Sequence, residues 1–241
     1  MISQHPFLSG AECESLLQTM EAQPQYAVDR RPDRAGQFVT YGRAAYLDVC
    51  LEGADPEANY YNALPRSNAG LWEMFSDFYL KLQRTLEELL GDSVTYRPDC
   101  LALPGVHVFR GEGIRGAQYG GVHFDVQYQR LRLPEELDPD AEPISVTIPL
   151  RLPSCGTGLQ VHHITHADYV RAYNMGRINK LDDLARRKTS AYHSYTIGHM
   201  VLHRGLILHR LLSPGPIQAS DERITVQGHG IRLKGKWILY W

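Results

Sequence analysis

Residues 195–230 read YTIGHMVLHRGLILHRLLSPGPIQASDERITVQGHG, and this stretch decides the fold class. Two short apolar segments precede Pro214 and a third follows Asp221, the punctuation expected of successive strands. His209 closes the second segment, and Arg223 opens the third fourteen residues later. Side chains two apart in a strand share a face. Arg223, Thr225, Gln227 and His229 are therefore expected on one face, with Ile224 and Val226 on the other. An arginine turned into a barrel needs an anionic partner, because an unpaired buried charge is very costly. A ligand carboxylate gripped by the guanidinium meets that need, and the Thr225 hydroxyl stands ready as a second donor.

The same texture extends back to residue 93. SVTYR, LALPGVHVFR, VHFDVQYQRL, ISVTIPLRL, GLQVHH, HMVLH, LILHRLL, RITVQGHGIRL and KWILYW are short apolar or alternating runs separated by Gly, Pro and Asp. That spacing predicts a sandwich or barrel. Residues 165–192 interrupt it with a helical or irregular stretch, opened by a Thr165/Asp168 capping box, and read as an insertion between two strands. Residues 1–92 read as mainly helical. Ser9 and Glu12 form a capping box, and Ser67 or Asn68 is placed to cap a longer helix over about Leu71 to Leu90. Its apolar positions recur at helical spacing, as expected for packing on a sheet. Residues 23–66 show no clear periodicity. No linker divides the chain, so 1–241 is expected to be one domain.

A second cluster stands at GGVHFDVQY, residues 120–128. Strand parity turns His123 and Asp125 to one face and Val122, Phe124 and Val126 to the other. An imidazole and a carboxylate side by side are two ligands for a divalent transition metal. The motif alone is weak, since chance supplies roughly 0.6 such pairs in a chain of this composition. His166-Ala-Asp168 is a second copy, but at a helix start its two side chains do not share a face. His209, with Arg223 behind it, gives His123 and Asp125 their meaning.

These residues resemble the Fe(II)/2-oxoglutarate-dependent dioxygenases over about residues 100–230. The matching parts are His123-Phe124-Asp125 as the H-x-D, Gly198 to His209 as the G-x10-H run, and Arg223-Ile224-Thr225 as an R-x-S/T-like element. ISVTIPL and GTGLQV look like the family's middle strands. The resemblance implies a double-stranded β-helix, a jelly-roll or cupin-like barrel, with N-terminal helices packed outside and a helical insertion. It implies Fe(II) on His123, Asp125 and His209, and the far carboxylate of 2-oxoglutarate on Arg223, with Thr225 alongside. It also implies consumption of O2 and 2-oxoglutarate, with release of succinate and CO2 and hydroxylation of a C–H bond. The interval from Asp125 to His209 is longer than in many members, and the 165–192 insertion absorbs the excess. The arginine differs from the lysine usual in the prolyl-hydroxylase-like branch. Two other readings stay open at this point: a metal-dependent hydrolase or cupin-type dioxygenase, and a non-catalytic barrel that binds a small acid.

Other candidates are weaker. His203 is the rival to His209, though it lies 20 residues before Arg223. His162, His163 and His166 read as loop histidines. His107, His199 and His229 fall in strand-like runs and could line the barrel. Tyr119, Tyr128 and Arg115, with Arg110, flank the H-x-D and are candidate substrate contacts. The whole chain has 241 residues, with Lys+Arg 25, Asp+Glu 27 and net charge −2. That balance lacks the basic face that nucleic acid or anionic membranes require. No apolar run approaches the ~18 residues of a membrane span, and MISQHPFLSG lacks the features of a signal peptide. Four scattered cysteines, Cys13, Cys50, Cys100 and Cys155, predict free thiols and a cytoplasmic setting. A small-molecule substrate is expected.

Overall fold

The computed structural model describes residues 2–118, 121–139, 142–178, 180–186 and 188–241. The elements run β1 (Ile2–Pro6), α1 (Gly10–Glu21), β2 (Ala27–Asp29), β3 (Phe38–Tyr41), α2 (Ala45–Asp48), α3 (Pro56–Asn59), α4 (Leu64–Leu90), β4 (Val94–Tyr96) and β5 (Gly105–Arg110). There follow α5 (Glu112–Gln118), β6 (Ile144–Arg151), β7 (Gly158–Thr165), α6 (His166–Asn174), α7 (Leu181–Ala185), β8 (Ser190–Ser194), β9 (His199–Arg204), β10 (Ile207–Leu212), β11 (Glu222–Leu233) and β12 (Lys236–Tyr240). The larger sheet is ordered β1-β9-β6-β11-β5-β3-β2, with β12 beside β11 and β4 beside β12; the smaller is β10-β7-β8. Among the described residues every strand pairing is antiparallel except β12 with β4. The architecture is a double-stranded β-helix with helices packed outside.

Strand β11 organises the barrel. It is twelve residues long and pairs β6 on one side, and β5 then β12 on the other. Ile224 and Val226 pack outward into the main core with Leu71, Phe75, Phe78 and Leu82 of α4 and Leu17 of α1. Burial of these apolar side chains accounts for the orientation of β11, at roughly 1.5–3 kcal/mol for each large one. The opposite face, carrying Arg223 and Thr225, is thereby committed to the barrel interior.

Both capping boxes form, at Ser9/Glu12 and at Thr165/Asp168. Helix α4 starts earlier than predicted, at Leu64 with Pro65 in its first turn, and bends at Phe75, whose φ and ψ are −135° and 23°. Asn68 is not its cap. The Asn68 amide donates to the carbonyls of Pro98 and Leu101 and accepts from the Leu103 N–H, tying the helix to the approach to β5.

One expectation gains detail and another needs correction. The first 92 residues are not only helical: β1 extends one end of the large sheet beside β9, and β3 and β2 extend the other beside β5. These strands are three to five residues long, and their sequences lack alternation, so sheet partners and not local pattern hold them. The stretch VHFDVQYQRL is not a strand. His123 makes one bridge to His209, the chain turns at Val126, and Gln127–Arg130 is a 3-10 turn. Its partner edge ends at the Gly205 turn between β9 and β10, so the pairing has nowhere to continue.

The predicted insertion lies between β7 and β8 as α6 and α7, and its last residues enter β8. Ile178, Leu184 and Ala185 pack with Val122, Phe124, Ile164 and Leu208. The insertion therefore covers the outer face of the small sheet. All four cysteines are free thiols. Among the described residues no helix is long and apolar enough to cross a membrane.

Candidate metal centre

His123 and Asp125 reach the site on an extended segment held by three backbone hydrogen bonds. His123 N–H donates to the His209 carbonyl (2.9 Å), His209 N–H donates back to the His123 carbonyl (3.1 Å), and Asp125 N–H donates to the Gly205 carbonyl (2.8 Å). Gly205 permits this approach: a Cβ there would stand 3.0 Å from the Asp125 Cβ. Parity holds although the strand does not. Val122 and Phe124 pack under the insertion, while His123 and Asp125 face the opposite way.

One ligand atom from each of His123, Asp125 and His209 lies within 4.8 Å of the others. His209 Nε2 is 3.5 Å from Asp125 Oδ2, and His123 Nε2 is 3.9 Å from Asp125 Oδ1. Two imidazoles and one carboxylate converging on a point are the donor set of non-haem iron sites, with coordination positions left over. Asp125 and His209 are buried, whereas the His123 side chain is 52% exposed, so the point of convergence opens to solvent on that side.

Burial opposes charge on Asp125, but His209, His229, His123 and His203, in that order, outweigh it and hold the carboxyl below its ordinary range. The group stays an anion, as a metal ligand must. Burial pushes His209 down to about 3 against the pull of Asp125, which leaves its imidazole neutral and its lone pair available. Its Nδ1 faces the Ile207 carbonyl at 2.8 Å, which assigns the proton there and frees Nε2 for a metal. His203 lies with its ring 4.6 Å from that of His209 and is outside the three-residue group. Ser145 Oγ donates to Asp125 Oδ2 and stands 3.1 Å from His229 Nδ1.

Arg223 and Thr225 project from the inner face of β11 and are 2% and 0% exposed. Arg223 Nε and Thr225 Oγ1 have no hydrogen-bond partner. The guanidinium sits 5.5 Å from the Phe109 ring and, among the described residues, forms no ion pair with a carboxylate. The phenols of Tyr195 and Tyr46 lie within its field. Arg223 and Thr225 share the inner face of β11 with His229, whose Nδ1 stands 3.9 Å from Asp125 Oδ2, so the cation and the His123–Asp125–His209 group share one interior. Two orphaned donors on one wall fit an anionic oxygen ligand.

The weaker candidates fare differently. Tyr128 is buried in an apolar cluster with Leu131, Tyr240 and Trp241. Arg115 pairs with Glu112 at 2.9 Å and donates to the Ile217 carbonyl at 2.8 Å, which gives it a role in loop anchoring. Tyr119 lies outside the described residues. His162 is not a loop residue: it is buried in β7, and neither ring nitrogen has a partner. Ser145, Tyr195 and Tyr46 escaped the sequence reading. For Ser145 a signal existed, because Ser145 and Thr147 alternate with Val146 and Ile148 along β6.

Comparison with solved structures finds two of like fold. One is an N-substituted L-amino acid dioxygenase from Burkholderia ambifaria in complex with alpha-ketoglutarate, with TM-score 0.54 and 11% identity, covering 100% of this chain and 86% of that one. The other is HygX from Streptomyces hygroscopicus with nickel and 2-oxoglutarate bound, with TM-score 0.50 and 11% identity, covering 95% and 81%. No protein-family model and no curated protein matches the chain in sequence. At this identity the likeness establishes the fold, the double-stranded β-helix shared with 2-oxoglutarate-dependent enzymes.

Proposed function

We propose that the protein is an Fe(II)- and 2-oxoglutarate-dependent dioxygenase that hydroxylates an unactivated C–H bond of a small molecule, such as an amino acid or a natural-product intermediate. The observation that carries this reading is the pair of orphaned buried donors, Arg223 Nε and Thr225 Oγ1, in the same interior as His123, Asp125 and His209. A hydrolase or a cupin without a cosubstrate has no use for a buried cation with no carboxylate of its own.

The donor chemistry fits iron and the diacid. His123, Asp125 and His209 would hold Fe(II), and Arg223 with Thr225 would hold the far carboxylate of 2-oxoglutarate. Iron held there would supply O2 activation coupled to decarboxylation of 2-oxoglutarate to succinate and CO2. The protein's own share is positional. The His123–His209 bridge fixes two ligands in register, and β11 sets the cation inside the barrel. The buried Phe109 ring lies 5.5 Å from the Arg223 guanidinium and would help exclude water from it. The exposed edge of His123 is the side from which substrate would approach. The two structures of like fold support the reading, since both are described with the cosubstrate bound.

The test is succinate formation by purified protein with Fe(II), ascorbate and 2-oxoglutarate across a panel of amino acids and other metabolites. Turnover should require His123, Asp125 and Arg223. Anaerobic 2-oxoglutarate binding that is indifferent to alanine at all three positions would sink the proposal.

A further inference from the structure

We infer that Ser145 and His229 are positioning residues that lock the Asp125 carboxylate in its metal-binding orientation through a directed hydrogen-bond chain. The inference rests on the metal-centre reading above. A carboxylate oxygen only accepts, so the single hydroxyl proton of Ser145 goes to Asp125 Oδ2. The Ser145 oxygen is then left as an acceptor toward His229 Nδ1 at 3.1 Å, and His229 must carry its proton on Nδ1. The chain runs His229 Nδ1–H to Ser145 Oγ–H to Asp125 Oδ2.

Three features make the chain a built device. All three residues sit in the barrel interior on separate elements: Ser145 on β6, His229 on β11, Asp125 on the H-x-D segment. Ser145 and Asp125 are buried, and the His229 side chain is only 12% exposed. On its far side Asp125 is held by Gly205, whose carbonyl accepts the Asp125 N–H and whose lack of a side chain leaves room for the Asp125 Cβ. With the backbone held there and Oδ2 held here, rotation of the carboxylate is restricted. A hydrogen bond already on Oδ2 also disfavours chelation of the metal by both oxygens. That keeps a coordination position open for a cosubstrate.

Bonds of this kind typically change metal affinity by about 10–100-fold. The experiment is Mn(II) binding to the metal-free protein, read from the electron paramagnetic resonance signal of free Mn(II), with the melting temperature of each metal-free variant as the folding control. Ser145→Ala should weaken Mn(II) binding by about 10–100-fold while the metal-free fold is retained. Ser145→Thr, which keeps the hydroxyl, should stay near wild type. His229→Phe, which keeps a ring beside Tyr240, should weaken binding less than Ser145→Ala. The double variant should match Ser145→Ala, because both changes break one chain. If Ser145→Ala lowers the melting temperature sharply, Ser145→Cys replaces it, preserving volume with a weak donor, and should show the same loss.

Wild-type affinity in Ser145→Ala and Ser145→Cys would overturn the inference, as would independent, multiplying effects of the Ser145 and His229 changes. Retention of Mn(II) by Asp125→Ala and His123→Ala would instead refute the metal centre itself.

Discussion

His123 and His209 exchange two backbone hydrogen bonds, of 2.9 and 3.1 Å, and their rings lie 4.5 Å apart. This isolated bridge joins the early ligand segment to β10. Two side chains of the candidate metal centre are thereby set in mutual register by the backbone alone. On the reverse side, Val122 and Phe124 are gripped by the insertion. The H-x-D segment is thus pinned by polar bonds on one face and apolar packing on the other.

That packing gives the insertion a measurable role. Phe124 is buried among Ile164, Leu184 and Leu208, with its ring edge-on to His166 at 5.2 Å. Phe124→Ala should cost about 3–5 kcal/mol of unfolding free energy in urea denaturation. It should also weaken Mn(II) binding, although Phe124 touches no metal. Unchanged affinity would mean that the bridge alone positions the ligands.

His209 and His203 stand with their rings 4.6 Å apart and differ in role. His209→Ala should abolish tight divalent-metal binding, measured by calorimetry, whereas His203→Ala should retain it. The reverse pattern would move the third ligand to β9.

Arg223 carries its charge into the interior without an ion-pair partner. Replacing an unpaired buried charge with an apolar residue of similar volume is often neutral or stabilising. Metal-free Arg223→Met should therefore melt at or above the wild-type temperature. The upward shift that 2-oxoglutarate gives the Mn(II)-loaded wild type under anaerobic conditions should vanish. A melting temperature several degrees lower in the variant would show that Arg223 serves the fold.

Acid should destabilise the metal-free protein early. His107, His203, His209 and His229 are all held below the ordinary histidine value of 6.5, with burial the first cause in each case, and His209 reaches about 3. A folded-state value below the unfolded one means that the unfolded chain binds more protons between the two. Stability is therefore full above about 6.5 and falls as pH drops below it, by about 1.4 kcal/mol per pH unit for each proton taken up. Asp125, held low, adds a further loss below 3.8. Urea midpoints between pH 8 and pH 5 should decline steeply, and a flat profile would contradict neutral burial of these rings.

Much of the site was legible because strand parity is a local property. Arg223 and Thr225 face inward and Ile224 and Val226 outward because alternation is written into RITV itself. The parity of His123 and Asp125 also came through, although the segment is a single bridge and a 3-10 turn. The missing information there was the end of the partner edge at Gly205, 80 residues further on. Strands β1 to β3 were hidden for a related reason: a strand of three to five residues is specified by what it pairs with.

The amino-acid sequence by itself determined the chemical inventory: two imidazoles, a carboxylate and an inward cation, together with the alternation that aims each of them. Only the tertiary structure decided how they meet. It brought His123, Ser145, His209 and His229 from four separate segments around Asp125, left Arg223 Nε and Thr225 Oγ1 without hydrogen-bond partners, and set the insertion behind the His123–Asp125 segment. The physical reason is that pairing across distant strands and exclusion of water are cooperative properties of the whole barrel. They fix hydrogen-bond direction and protonation state, which no local stretch of sequence encodes.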